Sequence, residues 1–270
     1  MNLDKFKINN KFLMLALDHR GSFKKLMNPD NPESVSDQAA IDLKSEIIKS
    51  VEEQMSGVLV DIDFGLPGFD KQKPFLLPAE KTGYSDSNGE RITQLEKSAA
   101  DLLNLGAAGV KLLLYFNPSL ESAKAQLETA KKVLADAHLN NLPLFLEIVT
   151  YEINHHIEDR ESLVLGSLQL FLENEIFPDV FKLEYPGNFE ACLKITEILK
   201  DLPWILLTRG VTFDEFVPQL KNATKAGAVG FLAGRALWQE VCTMQGEEKE
   251  KFLKETLPER FKTISEISIQ

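Results

Sequence analysis

Cysteine is scarce in this 270-residue chain: Cys192 and Cys242 are the only two, far apart and in no paired motif. That excludes a disulfide scaffold and a cysteine-rich zinc site, and it fits a reducing, cytoplasmic setting. Positive charge is in deficit, with 30 Lys and Arg against 41 Asp and Glu, a net charge of −11. Such a balance argues against a nucleic-acid or anionic-membrane surface. A phosphate site is still compatible, because it needs only a few local cations. Long apolar runs are missing too. The run from Phe12 to Leu17 is too short for a signal segment or a membrane span, and Met1 to Asn10 before it is charged and polar. There is no linker, low-complexity stretch or clear internal repeat. No glycine-rich dinucleotide fingerprint follows the first apolar run. The four histidines show no zinc spacing: His155 and His156 are adjacent, in a polar loop with Glu152, Glu158 and Asp159, and adjacent residues seldom ligate one ion together. No metal and no cofactor is expected.

What is present is alternation. Short apolar, strand-like runs fall at 12–17, 57–61, 76–83, 109–115, 143–149, 180–186, 203–208 and 228–233. Helical patterns follow at 37–55, 93–105, 119–138, 161–175, 189–200, 213–226 and from 236 onwards, and 22–36 reads as loop. Eight strand runs alternating with seven helical patterns imply a parallel sheet covered by helices. In 270 residues the expected fold is a single-domain α/β (β/α)8 TIM barrel spanning 1–270; an open doubly wound sheet is the alternative.

Strands of such a sheet are covered on both faces and normally read as unbroken apolar runs. The run from Val180 to Pro186 is broken by Lys182 and Glu184, which a period of two puts on one face. A buried lysine must be paired or neutral, and a neutral lysine is a nucleophile. Lys182 and Glu184 are therefore either a structural ion pair or part of a reactive site. Other strands carry acids at or near their C-terminal ends, namely Asp18, Asp61, Glu80 and Glu147, and Lys111 lies within the fourth. The active sites of this fold sit at the mouth where these ends converge. Two lysines in one partly dry pocket repel, so one sheds its proton more easily and can form a Schiff base with a ketone. Glu147, one strand from Lys182, is placed for proton transfer or as a charge partner. After the last two strands, Thr208-Arg209-Gly210 and Gly234-Arg235 offer hydroxyl, backbone and guanidinium donors where barrels commonly hold phosphate. His19 falls in the mouth, while Trp204 and Trp238 read as core.

Seven segments, in order and over nearly the whole chain, carry a resemblance: Leu15-Ala16-Leu17-Asp18-His19-Arg20-Gly21, Val60 to Pro67, Ala79 to Tyr84, Val110 to Tyr115, Phe145 to Tyr151, Asp179 to Pro186, and Gly230 to Ala236. Together they resemble the class I tagatose-1,6-bisphosphate aldolase family, with its relatives acting on sulfofructose phosphate and deoxy-keto-gluconate phosphate. The resemblance implies a lysine-dependent carbon–carbon lyase that acts on a sugar phosphate without a cofactor. Lys182 would be the Schiff-base lysine and Glu147 the proton shuttle, with Asp18 and Lys111 lining the pocket. Thr208, Gly234 and Arg235 would hold the phosphate nearest the ketone, and Arg20 the distal anionic group. Asp61, Glu80, Arg209 and Gly210 complete the expected substrate contacts. The chain departs from the family pattern at His19, where glutamine is common, and at Thr208, where serine is common. A metal-dependent enzyme using His155 and His156, and a non-catalytic sugar-phosphate sensor, are the rival readings. The oligomeric state is left open, a homo-oligomer included.

Overall fold

The computed structural model describes residues 1–153 and 159–270. Its strands are β1 (Phe12–Leu17), β2 (Gly57–Val60), β3 (Phe75–Pro78), β4 (Ser85–Ser87), β5 (Glu90–Ile92), β6 (Gly109–Phe116), β7 (Leu144–Thr150), β8 (Val180–Leu183), β9 (Trp204–Leu206) and β10 (Gly230–Ala233). All but β4 and β5 are parallel and close into a barrel in the order β1-β10-β9-β8-β7-β6-β3-β2, so the expected (β/α)8 architecture holds. Among the described residues no helix is long and apolar enough to cross a membrane.

Strand alternation divides the core in two. Phe12, Met14 and Ala16 of β1 point inward and pack with Leu59, Leu76, Phe145, Val180, Ile205 and Leu232. Leu13, Leu15 and Leu17 point outward into the larger layer beneath the helices. Both faces are dry, which is why these strands read as unbroken apolar runs. Phe6, fully buried, plugs the end of the barrel where the strands begin. Its ring meets Phe145 edge-on at 5.3 Å, and Phe145 meets Phe12 at 5.7 Å.

Two local expectations fail for identifiable reasons. Residues Gly21–Met27 are helical rather than loop; the helix has no side-chain cap at Arg20, so no start signal marks it. Residues 85–92 form an antiparallel hairpin, and the helix expected from 93 begins only at Ala99, behind a Ser98–Asp101 capping box. The hairpin turn is Asn88-Gly89, both at positive φ (55° and 85°). Asn-Gly is the strongest short-range hairpin signal, because both residues tolerate the left-handed backbone of a tight turn.

One buried ion pair fastens two strand exits. Helix Asp37–Val51 buries Ala40, Leu43, Lys44, Ile47, Ile48 and Val51 along one stripe. Lys44 therefore sits fully inside. Its ammonium donates to the carbonyls of Leu17 (3.0 Å) and His19 (2.5 Å) and pairs with Asp61. Asp61 also accepts the backbone N–H groups of Asp63, Phe64 and Gly65. Burial pushes the Lys44 ammonium below its ordinary pKa, against the pull of Asp61.

Two substitutions test this framework. Gly230 opens β10 at φ +135°, and a Cβ there would lie 2.1 Å from the carbonyl oxygen of Phe12, its register partner. Gly230→Ala is expected to cost more than about 1 kcal/mol, read as a lower urea midpoint with an unchanged slope. Lys44→Met strands Asp61 in the interior and is expected to cost about 3–5 kcal/mol. A midpoint equal to wild type would show that Asp61 does not depend on its partner.

Candidate active site

The parallel register brings the chemistry together. Glu147 on β7 is the register partner of Lys182 on β8, and Lys111 on β6 stands two residues before Leu113, the partner of Glu147 on its other side. Inward-facing positions two apart change from apolar to charged on climbing the barrel: Phe145 to Glu147, Val180 to Lys182, Ala16 to Asp18. At the mouth Lys182 Nζ lies 2.8 Å from Glu147 Oε2, and Lys111 Nζ lies 3.3 Å from the same oxygen. Lys111 also reaches Asp18 at 2.8 Å and Glu80 at 2.5 Å, and Glu80 accepts the N–H of Leu113. Lys182 is 4 % exposed and Lys111 2 %, so neither charge is dissipated by bulk water.

The two lysines differ in their partners. Lys111 is enclosed by three carboxylates. Burial alone would push its ammonium down, but Asp18, Glu80 and Glu147 outweigh burial and hold it well above the ordinary lysine value. Among the described residues Lys182 has one ion pair, to Glu147. Burial pushes the Glu147 carboxyl up, yet Lys182 and Lys111 together hold it below the usual range. Asp18 follows the same logic and lies far below its usual range, with Lys111 the main charge opposing burial. Glu80 goes the other way, because burial outweighs its contact with Lys111. Lys111 is thus a fixed cation, and Lys182 is the amine with a single proton acceptor beside it.

These groups floor a cavity of about 460 Å³ whose rim includes His19, Arg20, Arg91, Thr208, Arg209 and Arg235. Arg235 makes no ion pair among the described residues. Gly210 lets it lie close: a Cβ there would be 2.9 Å from the guanidinium, and φ is +76°. Gly234 opens the turn into helix Arg235–Trp238. His19 stands edge-on to Trp238 at 5.2 Å. Burial drives its imidazole down to about 4 against the pull of Asp18, so it is neutral near pH 7.

Four residues singled out in the sequence are engaged by partners of their own. Asp61 is sealed beneath the cavity with Lys44, outside its lining, so it supports the β1 and β2 exits instead of facing a ligand. Glu184 does not pair with Lys182. Its carboxylate, 1 % exposed, takes the N–H and hydroxyl of Thr150 and the guanidinium of Arg209. Arg209 also donates to the carbonyl of Thr150 at 2.7 Å, so it ties the exits of β7, β8 and β9 together while still lining the cavity. Burial, with Arg160 and Arg91 nearby, lowers its pKa to about 10. Arg20 lines the cavity with its charge engaged by Glu96 at 2.9 Å and Asp63 at 3.6 Å. His155 and His156, the rival metal ligands, lie outside the described residues. Among the described residues no group of three or more His, Cys, Asp or Glu is placed to hold a metal.

Sequence reasoning missed Lys44 and Arg91. Lys44 occupies an i+4 position on an apolar helical stripe, a legible anomaly. Arg91 depends on the hairpin, which Asn88-Gly89 could have revealed.

Comparison with known proteins gives the family and repeats the barrel fold. The DeoC/LacD family aldolase model matches residues 12–240. A tagatose 1,6-diphosphate aldolase of Staphylococcus aureus (strain bovine RF122 / ET3-1) is 31 % identical over 273 residues, covering 87 % of this chain and 83 % of that protein. Its counterpart from Staphylococcus epidermidis is 29 % identical, over 90 % of this chain and 85 % of that protein. An archaeal fructose-1,6-bisphosphate aldolase, solved with its catalytic lysine bound to a carbinolamine intermediate, shares the fold. It superposes with a TM-score of 0.73 at 20 % identity, covering 99 % of this chain and 98 % of that one. The chain belongs to the DeoC/LacD family of aldolases.

Proposed function

We propose that this protein is a Schiff-base-forming aldolase that cleaves a ketose bisphosphate of the tagatose-1,6-bisphosphate kind, giving dihydroxyacetone phosphate and glyceraldehyde 3-phosphate. The observation that carries the reading is the contrast between the lysines: Lys182 touches one carboxylate, Glu147, at 2.8 Å, while Lys111 is locked among three. The relatives named for tagatose 1,6-diphosphate support the choice of sugar. The buried free thiols of Cys192 and Cys242 fit work in a reducing cytoplasm.

The chemistry follows the contacts. Lys182 frees its lone pair by passing a proton to Glu147, and its nitrogen attacks the C2 ketone. Glu147 returns a proton to the C2 hydroxyl of the carbinolamine, which leaves as water and produces an iminium. The C3–C4 bond then breaks, and its electrons move to the iminium nitrogen to form an enamine. Asp18, ionised and across the mouth, takes the proton of the C4 hydroxyl as the aldehyde forms. Protonation of the enamine at C3 and hydrolysis release dihydroxyacetone phosphate and restore Lys182. Arg235, Gly234 and Thr208 hold the phosphate next to the ketone, and Lys111 supplies a fixed positive field that needs no reorganisation during the reaction.

Borohydride added with dihydroxyacetone phosphate is expected to leave a reduced adduct on the peptide containing Lys182 and none on that containing Lys111. Peptide mass spectrometry reads the site, and a wild-type enzyme that forms no adduct overturns the mechanism. Glu147→Gln is expected to lower kcat by about 10²–10⁴-fold. Turnover undiminished in that variant removes Glu147 from proton transfer. Activity is expected to persist in excess chelator, and its loss would favour the metal-dependent reading.

A further inference from the structure

Resting on the ketose bisphosphate reading, we infer that the phosphate far from the ketone is received by Arg91, on the β4–β5 hairpin, and not by Arg20. Three observations converge on this assignment.

The first is position around the ring. Arg235 follows β10, and Arg91 lies over Tyr115 of β6 and Tyr151 just after β7, with ring distances of 5.4 and 4.9 Å. In the strand order, β10 and β6 are separated by three strands in either direction, so they face each other across the mouth. Lys182 on β8 lies midway between them. An open-chain ketose bisphosphate has a phosphate at each end with its C2 ketone between them, nearer the 1-phosphate, so its two ends can lie on opposite sides of Lys182. Arg20 follows β1, and its contacts with Asp63, after β2, and Glu96, bonded beside the β3 exit, draw its guanidinium towards β2 and β3.

The second is charge. Arg20 is held by Asp63 and Glu96, one cation against two anions, so an approaching phosphate meets net repulsion. Arg91 lines the cavity and makes no ion pair among the described residues. Arg209, paired with Glu184, adds a second guanidinium on that side, close enough that Arg91 disfavours its charge. An anion placed between them relieves that repulsion, and a guanidinium fork matches phosphate oxygens in pairs.

The third is preorganisation. The Arg91 guanidinium is also covered by Tyr84 at 5.0 Å, so aromatic faces hold it in place of carboxylates. Its backbone is pinned on both sides: its N–H donates to the Tyr151 hydroxyl at 2.9 Å and its carbonyl accepts from Gln126 at 3.2 Å. The neighbouring Glu90 accepts the N–H of Ser122 at 2.7 Å. A cation whose rotamers are already restricted loses little entropy on binding.

The test is a ratio: kcat/KM for the ketose 1,6-bisphosphate divided by kcat/KM for the same ketose 1-phosphate. The ratio does not depend on the fraction of enzyme that is correctly folded. Arg91→Gln is expected to lower it roughly 10- to 100-fold, the effect of losing a charge-assisted contact. Arg91→Lys is expected to recover part of the loss, and Arg20→Gln to lower the ratio less than Arg91→Gln does. An unchanged ratio in Arg91→Gln, or a larger fall in Arg20→Gln, overturns the assignment. If the wild-type enzyme turns over neither sugar, the aldol reading fails. Calorimetric affinities for the two sugars then supply the same ratio, with the same expected and overturning results for Arg91.

Discussion

The ammonium of Lys111 is the point on which the mouth of this barrel depends. Three carboxylates carried by three different strands, Asp18 and Glu80 just past β1 and β3 and Glu147 within β7, converge on one cation. Without it, three buried acids would repel, and the cheapest response would be to take up protons. With it, Asp18 and Glu147 remain anions in a dry site. Glu147 shares its Oε2 between Lys111 and Lys182, so Lys111 helps to set where the Lys182 amine lies. The barrel contributes the convergence, since register partners on β7 and β8 face inward at the same height.

Around that centre the cavity is arranged by which charges are already satisfied. Arg209 and Arg20 look like anion receptors in the sequence, yet each carries carboxylate partners in the fold. Arg235 and Arg91 have none among the described residues. A guanidinium held by an aromatic face or a glycine backbone stays available, whereas one held by a carboxylate must lose that partner first. Net local charge therefore separates the groups open to an anion from those already engaged.

Much of this was legible from the chain. Eight apolar runs alternating with helical patterns specify the barrel, because a parallel strand buried on both faces has no polar residues to spare. Charges at the ends of such runs then stand out, which is how Lys182, Glu147, Lys111, Asp18 and Glu80 are found without coordinates. Partner choice is not legible in that way. Lys182 and Glu184 are two apart and suggest a pair, but β8 ends at Leu183. Past that point the period-two argument lapses, and Glu184 turns to Thr150 and Arg209. Asp61 sits at a strand end like the others, but a lysine on the helix behind it claims the carboxylate. Only tertiary packing brings residues 17 positions apart into that contact.

Lys44 and Lys182 show why burial of a lysine does not by itself mark chemistry. Both are almost fully inaccessible and both meet a carboxylate. Lys44 has two backbone carbonyls in addition to Asp61, and Asp61 has three N–H donors, so every lone pair and proton is engaged and no ligand can enter. Lys182 has Glu147 and open space above it. Its incomplete set of contacts costs stability that a closed network would recover. In the proposed mechanism that same incompleteness leaves the nitrogen free to take a carbonyl carbon as its next partner. The lysine proposed to react is the one the fold leaves under-coordinated, and the fully coordinated one, on the helix Asp37–Val51, keeps the strand exit carrying Asp18 in place.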